Sequence, residues 1–188
     1  KEDWQADYSF LLDAPKSASL EGYIFPDTYY IDSKKGIENL IIKSLNNFDQ
    51  KLTEDIRQEI NSQGKTIFEV ITLASIVERE VPSLSDKKKV ADIFLKRLEA
   101  GIGLQSDATI NYITGKGLIQ PSYDDLQIDS PYNTYKYRGL PPGPISNPGI
   151  DSIMAVVYPE VNPYYYFLTT KDGQVIYSRS YEEHLDNK

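Results

Sequence analysis

Apolar residues recur three and four positions apart through Ile67, Val70, Ile71, Ala74, Val77 and Val81, a spacing that puts them on one face of a helix. Thr66 ahead of the run and Glu69 three residues on form a capping box, which sets the N-terminus, and Pro82 ends the helix. The same periodicity in Ile37, Leu40, Ile41, Leu45 and Phe48 predicts an amphipathic helix from Lys35 to Leu52. Thr53, followed by Glu54 and Asp55 in the first turn, starts a shorter helix that runs through Ile60. Val90, Ile93, Phe94, Arg97 and Leu98 share a face of a further helix that begins at Ser85 and stops at Gly101. The connection from Pro82 to Ser85 is short enough to set this helix antiparallel to the one before it.

Outside this helical lobe, about 35–101, the pattern changes. A short helix is expected at Asp7–Leu12, in a lead-in that ends near Pro15. Residues 21–31 hold two aromatic, strand-like runs broken by the turn residues Pro26 and Asp27. Residues 104–148 are rich in small polar side chains, Pro and Gly, and read as shaped loops whose backbone groups are free for ligands. Gly149–Tyr158 predicts a short helix closed by Pro159, and Tyr181 opens a last one. Between them Tyr164–Thr170 and Gln174–Ser178, joined by Lys171-Asp-Gly173, have the signature of a β-hairpin. The expected fold is therefore α+β in one unit, 1–188. Its helical lobe would pack against a small β-sheet formed by the N-terminal strands of 22–31 and the C-terminal hairpin.

Composition narrows the chemistry. A net charge of −8 argues against nucleic acid as a partner, because phosphate binding needs clustered cations and the only dense basic run is Lys87-Lys-Lys89. The absence of cysteine removes disulfides, thiolate metal sites and thiol nucleophiles together. With His184 the single histidine, a Ser-His-Asp triad or a histidine-based zinc site lacks its parts. No motif calls for a metal or an organic cofactor, so carboxylates must carry any acid–base work. The 15 tyrosines supply flat apolar faces with polar tips, suited both to strands and to sugar rings.

Glu78 and Glu80 stand where the apolar helix runs out before Pro82. A carboxylate there is partly desolvated yet still meets solvent, which raises its pKa toward the value a general acid needs. Residues two apart on a helix point about 200° apart, so the pair cannot face one bond together. One works and the other is structural; periodicity alone does not say which.

Five motifs, in this order, identify the chain by resemblance. Glu21-Gly-Tyr-Ile-Phe-Pro-Asp-Thr-Tyr29, Ala74-Ser-Ile-Val-Glu-Arg-Glu80, Leu104-Gln-Ser-Asp-Ala-Thr109, Ser130-Pro-Tyr-Asn-Thr-Tyr135 and Gly139-Leu-Pro-Pro-Gly-Pro-Ile145 with Asn147-Pro-Gly149 resemble the endolytic murein transglycosylase family, the MltG or YceG-like proteins. The resemblance implies a bacterial enzyme of the cell membrane, its catalytic domain extracytoplasmic, that cuts nascent peptidoglycan strands internally and works beside peptidoglycan synthases. It also implies an N-terminal part outside these residues, with one transmembrane anchor and a LysM-like region. The family's catalytic Glu lies in the Ile-Val-Glu-x-Glu motif. Ile76-Val-Glu-Arg-Glu80 is also similar to the Ile-Ala-Arg-Gln-Glu-Ser stretch of soluble lytic transglycosylases, a register that favours Glu80 over Glu78.

On this resemblance a single Glu protonates the oxygen between N-acetylmuramic acid and N-acetylglucosamine, then accepts the proton of the muramoyl 6-hydroxyl as it closes on C1. The product is a 1,6-anhydro sugar. Hydrolytic glycosidases use two carboxylates, a role open here only to Asp107. Gln105, Ser106, Asp107 and Thr109 are expected to bond sugar hydroxyl and N-acetyl groups or to orient the Glu. Tyr132, Asn133 and Tyr135 are expected to add a stacking face and an amide, and Pro141-Pro-Gly143 a rigid rim. The chain departs from the family at Ala108, where Pro is frequent, and at Val175, where many members carry His. Two other readings fit the same residues: a non-catalytic peptidoglycan-binding module and a hydrolytic muramidase.

Overall fold

The computed structural model describes residues 4–31, 34, 36–117, 120–170 and 172–187. Lys35, the expected start of the helical lobe, and Lys171, the expected first residue of the hairpin turn, lie outside the described residues. A single turn, α1 (Trp4–Asp7), and a 3-10 turn at Ser9–Leu11 lead into α2 (Gly36–Lys51) and α3 (Glu54–Ser62). The buried axis of the molecule is α4 (Ile67–Glu80). Thr66 and Glu69 form the expected capping box at its start, each bonding the other's backbone N–H.

Every residue from Val70 to Val77 is buried, the polar Thr72 and Ser75 included. A helix enclosed this way needs partners on all sides. They are α3, α5 (Leu84–Glu99), α6 (Asp107–Thr114) and α8 (Ile150–Val157); α7 (Tyr123–Leu126) lies beside α6. No helix among the described residues is long and apolar enough to cross a membrane.

The loop ahead of α8 follows α4 from one end toward the other. Gly143 faces Phe68, Ile145 donates its N–H to Ser75 Oγ at 2.9 Å, and Gly149 donates to Glu78 Oε2 at 3.2 Å. The hairpin forms as expected: β1 (Tyr166–Thr169) runs antiparallel to β2 (Val175–Ser178), with Tyr166 opposite Ser178 and Thr169 opposite Val175. It docks on α5 through the edge-to-face pair Phe94 and Phe167, 5.8 Å between ring centres. The last helix, α9 (Tyr181–Asp186), returns to the hairpin, where the His184 ring stacks on Tyr166 at 5.5 Å.

The α+β class holds, with two corrections. Residues 22–31 form no strand, and the sheet among the described residues has two strands. The backbone donors of Gly22 and Ile24 go instead to one side-chain oxygen, Asn147 Oδ1, at 2.8 and 3.2 Å. Tyr23 and Phe25 turn into the helical core, where Tyr23 packs against Phe10 and Phe48. Residues 107–114 are a helix rather than part of a loop, begun at Ser106 and ended by Gly115 in the left-handed region at φ 66°. Ile110, buried on that helix, supplies the apolar anchor that the polar neighbours conceal.

Gly22 is the tightest point of this arrangement. Its φ is 93°, and a Cβ there would lie 2.5 Å from Pro144 and 2.9 Å from Ile71. Gly22→Ala combines a disfavoured backbone with overpacking against a stiff proline ring, and is expected to destabilise the protein by roughly 2–4 kcal/mol. Urea denaturation of the two proteins checks this; an unchanged midpoint would contradict the close approach.

Candidate active site

Glu80 is the last residue of α4, half-buried, and accepts a hydrogen bond at Oε1 from the Ser106 hydroxyl. Ser106 is the N-cap residue of α6, yet its side chain bonds no backbone N–H of that helix. A capping Ser usually accepts such a bond, worth about 1 kcal/mol. Here the hydroxyl is turned to Glu80 instead.

A closed circuit of buried hydroxyls holds Ser106 in place. Its N–H donates to Thr134 Oγ1 at 3.0 Å, and Thr109 Oγ1 donates to its carbonyl at 2.8 Å. The two threonine oxygens lie 2.9 Å apart. Since the Thr109 proton is already engaged, Thr134 must be the donor between them. Gln105, next in the chain, is exposed and adopts φ 51°, the single positive φ of a described residue other than glycine. Such a conformation persists only where its surroundings enforce it; its N–H is tied to the Thr134 carbonyl at 3.2 Å.

Arg97 fixes the approach to this loop from below. It is buried, and its guanidinium donates to the carbonyls of Leu104 at 2.7 Å and Tyr165 at 2.8 Å while lying 4.8 Å over the Tyr166 ring. On the other flank Tyr135 donates to Asp107 Oδ1 at 2.5 Å. These groups set the acidity of Glu80. Burial pushes its pKa up to about 7; the Ser106 bond opposes the rise, the Asp107 charge adds to it and the Arg97 charge opposes it.

Glu78 has the opposite surroundings. Its Oε2 accepts from Lys87 Nζ at 3.0 Å, from Ser152 Oγ and from the Gly149 N–H, so it bolts α4 to α5 and to the start of α8. Burial acts to raise its pKa, but the bonds from Ser152, Lys87 and Gly149 and the Lys87 charge outweigh it and hold the carboxyl below its usual range. Glu78 is an ion-pair partner; Glu80 retains its proton to near neutrality.

The other expected site residues divide. Ser106 and Asp107 lie beside Glu80, and Tyr135 joins them through Asp107. Thr109 and Asn133 are both fully buried, out of reach of a ligand. The Asn133 amide is taken up by the carbonyls of Leu126 and Ile128 and by the Tyr135 N–H, so it shapes the loop and is not the cleft amide expected of it. Tyr132 is half-buried, with its ring centre 5.0 Å from that of Tyr112. Arg97 was visible as a cation on an otherwise apolar helical face, without a role to give it. Thr134 stood inside a quoted motif, and nothing local marked its bond to a residue 28 positions away.

The YceG-like family model matches residues 2–188. A Bacillus subtilis (strain 168) protein named endolytic murein transglycosylase is 39% identical over 166 residues, which make up 88% of this chain and 46% of that protein. A protein of the same name from Streptococcus pneumoniae strain D39 is 37% identical over 174 residues, 89% of this chain and 31% of its own length. The chain thus spans less than half the length of these curated relatives. The crystal structure of a yceG-like protein from Listeria monocytogenes superposes with a TM-score of 0.86 at 38% identity, covering 96% of this chain and 59% of that one.

The raised pKa of Glu80 fixes how stability responds to pH. Glu80 ionises near 4.5 when unfolded and near 7 when folded, so its contribution is fully present below about 4.5 and is lost as pH rises toward 7. Glu80→Gln removes that loss. The variant is expected to match the parent at pH 4 and to exceed it at pH 8 by about 2 kcal/mol, after allowance for the solvent the carboxyl still meets. Thermal melts at the two pH values check it; an equal difference at both would contradict the burial of Glu80.

Proposed function

Because the chain belongs to the YceG-like family, we propose that it forms the catalytic domain of an endolytic lytic transglycosylase acting on peptidoglycan strands. Glu80 carries the reaction. Ser106 occupies Oε1, which leaves the acid proton on Oε2, the oxygen free to meet substrate. Glu80 gives that proton to the oxygen linking N-acetylmuramic acid to N-acetylglucosamine as the bond to C1 breaks. The resulting carboxylate takes the proton of the muramoyl 6-hydroxyl while O6 bonds to C1. The proton count closes, no water enters, and the strand ends in 1,6-anhydro-N-acetylmuramic acid.

The observation that carries this reading is the placement of Glu80 at the end of a buried helix with Ser106 on one carboxyl oxygen; burial raises its pKa, which suits a group that must act first as acid and then as base. The Arg97 charge and the Ser106 hydroxyl favour the carboxylate once it forms, and Asp107 keeps the acid form accessible beforehand. The names of the curated relatives support the substrate class. In the whole protein we place this domain outside the cytoplasm, tethered to the cell membrane near peptidoglycan synthases. A hydrolytic muramidase is the second reading, favoured by the nearness of the Asp107 charge to Glu80; it would leave reducing ends.

Mass spectrometry of products from uncrosslinked strands separates these readings. The parent is expected to yield anhydromuramoyl ends, with a rate that falls above about pH 7 as Glu80 ionises. Glu80→Gln should lose at least about 100-fold, whereas Glu78→Gln should keep the reaction and lose stability, because Lys87 is left without its partner. Loss of activity in a folded Glu78→Gln with retention in Glu80→Gln would reverse the assignment. Reducing ends would mean hydrolysis, and binding without cleavage a glycan-binding module.

A further inference from the structure

Tyr112 is 38% exposed near the end of α6, five residues and therefore roughly 8 Å along the helix from Asp107. Its ring meets that of Tyr132 at a 43° tilt, 5.0 Å between centres, and its hydroxyl donates to Glu21 Oε2 at 2.7 Å. Residues 132–135 lie along α6, touching it at its start through Thr134 and Tyr135 and near its end through Tyr132. One helix and one loop thus join the aromatic pair to the surroundings of Glu80.

The partners of Tyr112 are unusually well held for a surface aromatic. Glu21 precedes Gly22, whose N–H is bonded to Asn147 and where a Cβ would clash with Pro144. Tyr132 is backed by Gly143, where a Cβ would lie 3.4 Å from the phenol oxygen. The fold therefore presents two rings and a carboxylate at fixed positions.

We propose that Tyr112, Tyr132 and Glu21 form a sugar subsite away from the bond being cut, which takes a neutral N-acetylhexosamine unit of the bound strand. The inference rests on the glycan-strand reading above. A pyranose offers an apolar C–H face that stacks on a tyrosine ring and hydroxyl or amide donors that suit a carboxylate. The Tyr112 bond takes Glu21 Oε2; among the described residues no hydrogen bond goes to Oε1, which is left for such a donor. The negative charge of Glu21 selects against the carboxylates carried by the neighbouring muramic acid, those of its stem peptide or, where the peptide is absent, of its lactyl group. The subsite accordingly takes the N-acetylglucosamine units of the strand. Holding chain at a distance from Glu80 also favours cuts within strands over cuts at their ends.

The test uses binding, so it does not depend on turnover. Calorimetric titration of Glu80→Gln with a hexamer of N-acetylglucosamine is compared with the same titration of Glu80→Gln combined with Tyr112→Leu or Tyr112→Phe. Leu keeps an apolar side chain of moderate bulk without the flat face, and is expected to weaken binding about tenfold; Phe keeps the face and should lose less. Melting temperatures of the variants confirm that they are folded. Equal affinity in the Leu variant, or no binding by any of the three, overturns the subsite. Tyr112-dependent binding by a chain whose parent cuts no strand would sustain the subsite while removing the transglycosylase reading. Cleavage by the parent with Tyr112-independent binding would do the reverse.

Discussion

The enclosure of α4 is the constraint on which the rest depends. A helix buried on every side from Val70 to Val77 can place a charge only at its ends. At its C-terminal end the chain places two carboxylates, and the helical turn sends them to different neighbours. One meets a lysine, a hydroxyl and a backbone amide; the other meets a serine in a setting where the desolvation of charge is only partly offset. The same amino acid, two positions apart, thus becomes a structural anion and a weak acid. Environment rather than identity makes the difference.

Support for the weak acid comes from parts far apart in the chain. Arg97 on α5 holds the carbonyls ahead of Ser106, and Thr134 holds the Ser106 backbone. In turn Asn133 folds the loop that contains Thr134. The uncapped start of α6 is a local loss of helix stability that leaves a hydroxyl for the acid. Proteins commonly accept such losses at working sites.

Much of this was legible in the sequence. Periodicity and the Thr66 to Glu69 capping box gave α4 its bounds, because both are local signals written within a few residues. The hairpin followed from Asp172 and Gly173 between strand-like runs. Residues 22–31 misled because aromatic, strand-forming side chains there are recruited to a helical core, and the backbone donors are met by Asn147, more than a hundred positions away. The α6 helix hid because its eight residues make only about two turns, too short a run for a helical period to stand out between polar neighbours. For the site, Glu80 and Ser106 could be named from their motifs, but the burial of Asn133 and Thr109 could not. A polar residue that binds a ligand and one that binds the backbone look alike in one dimension.

The bonds from Gly22 and Ile24 to Asn147 also bear on the order in which the molecule assembles. They join positions 125 and 123 residues apart, about two-thirds of the chain's length. Closing so long a loop carries an entropic cost before any contact repays it, which places such contacts late in folding. During synthesis the residues of α2 to α5 emerge while Asn147 and α8 are still to be made. Glu21 and its neighbours are therefore fastened only when the loop ahead of α8 arrives, in the same late step that brings α8 onto α4.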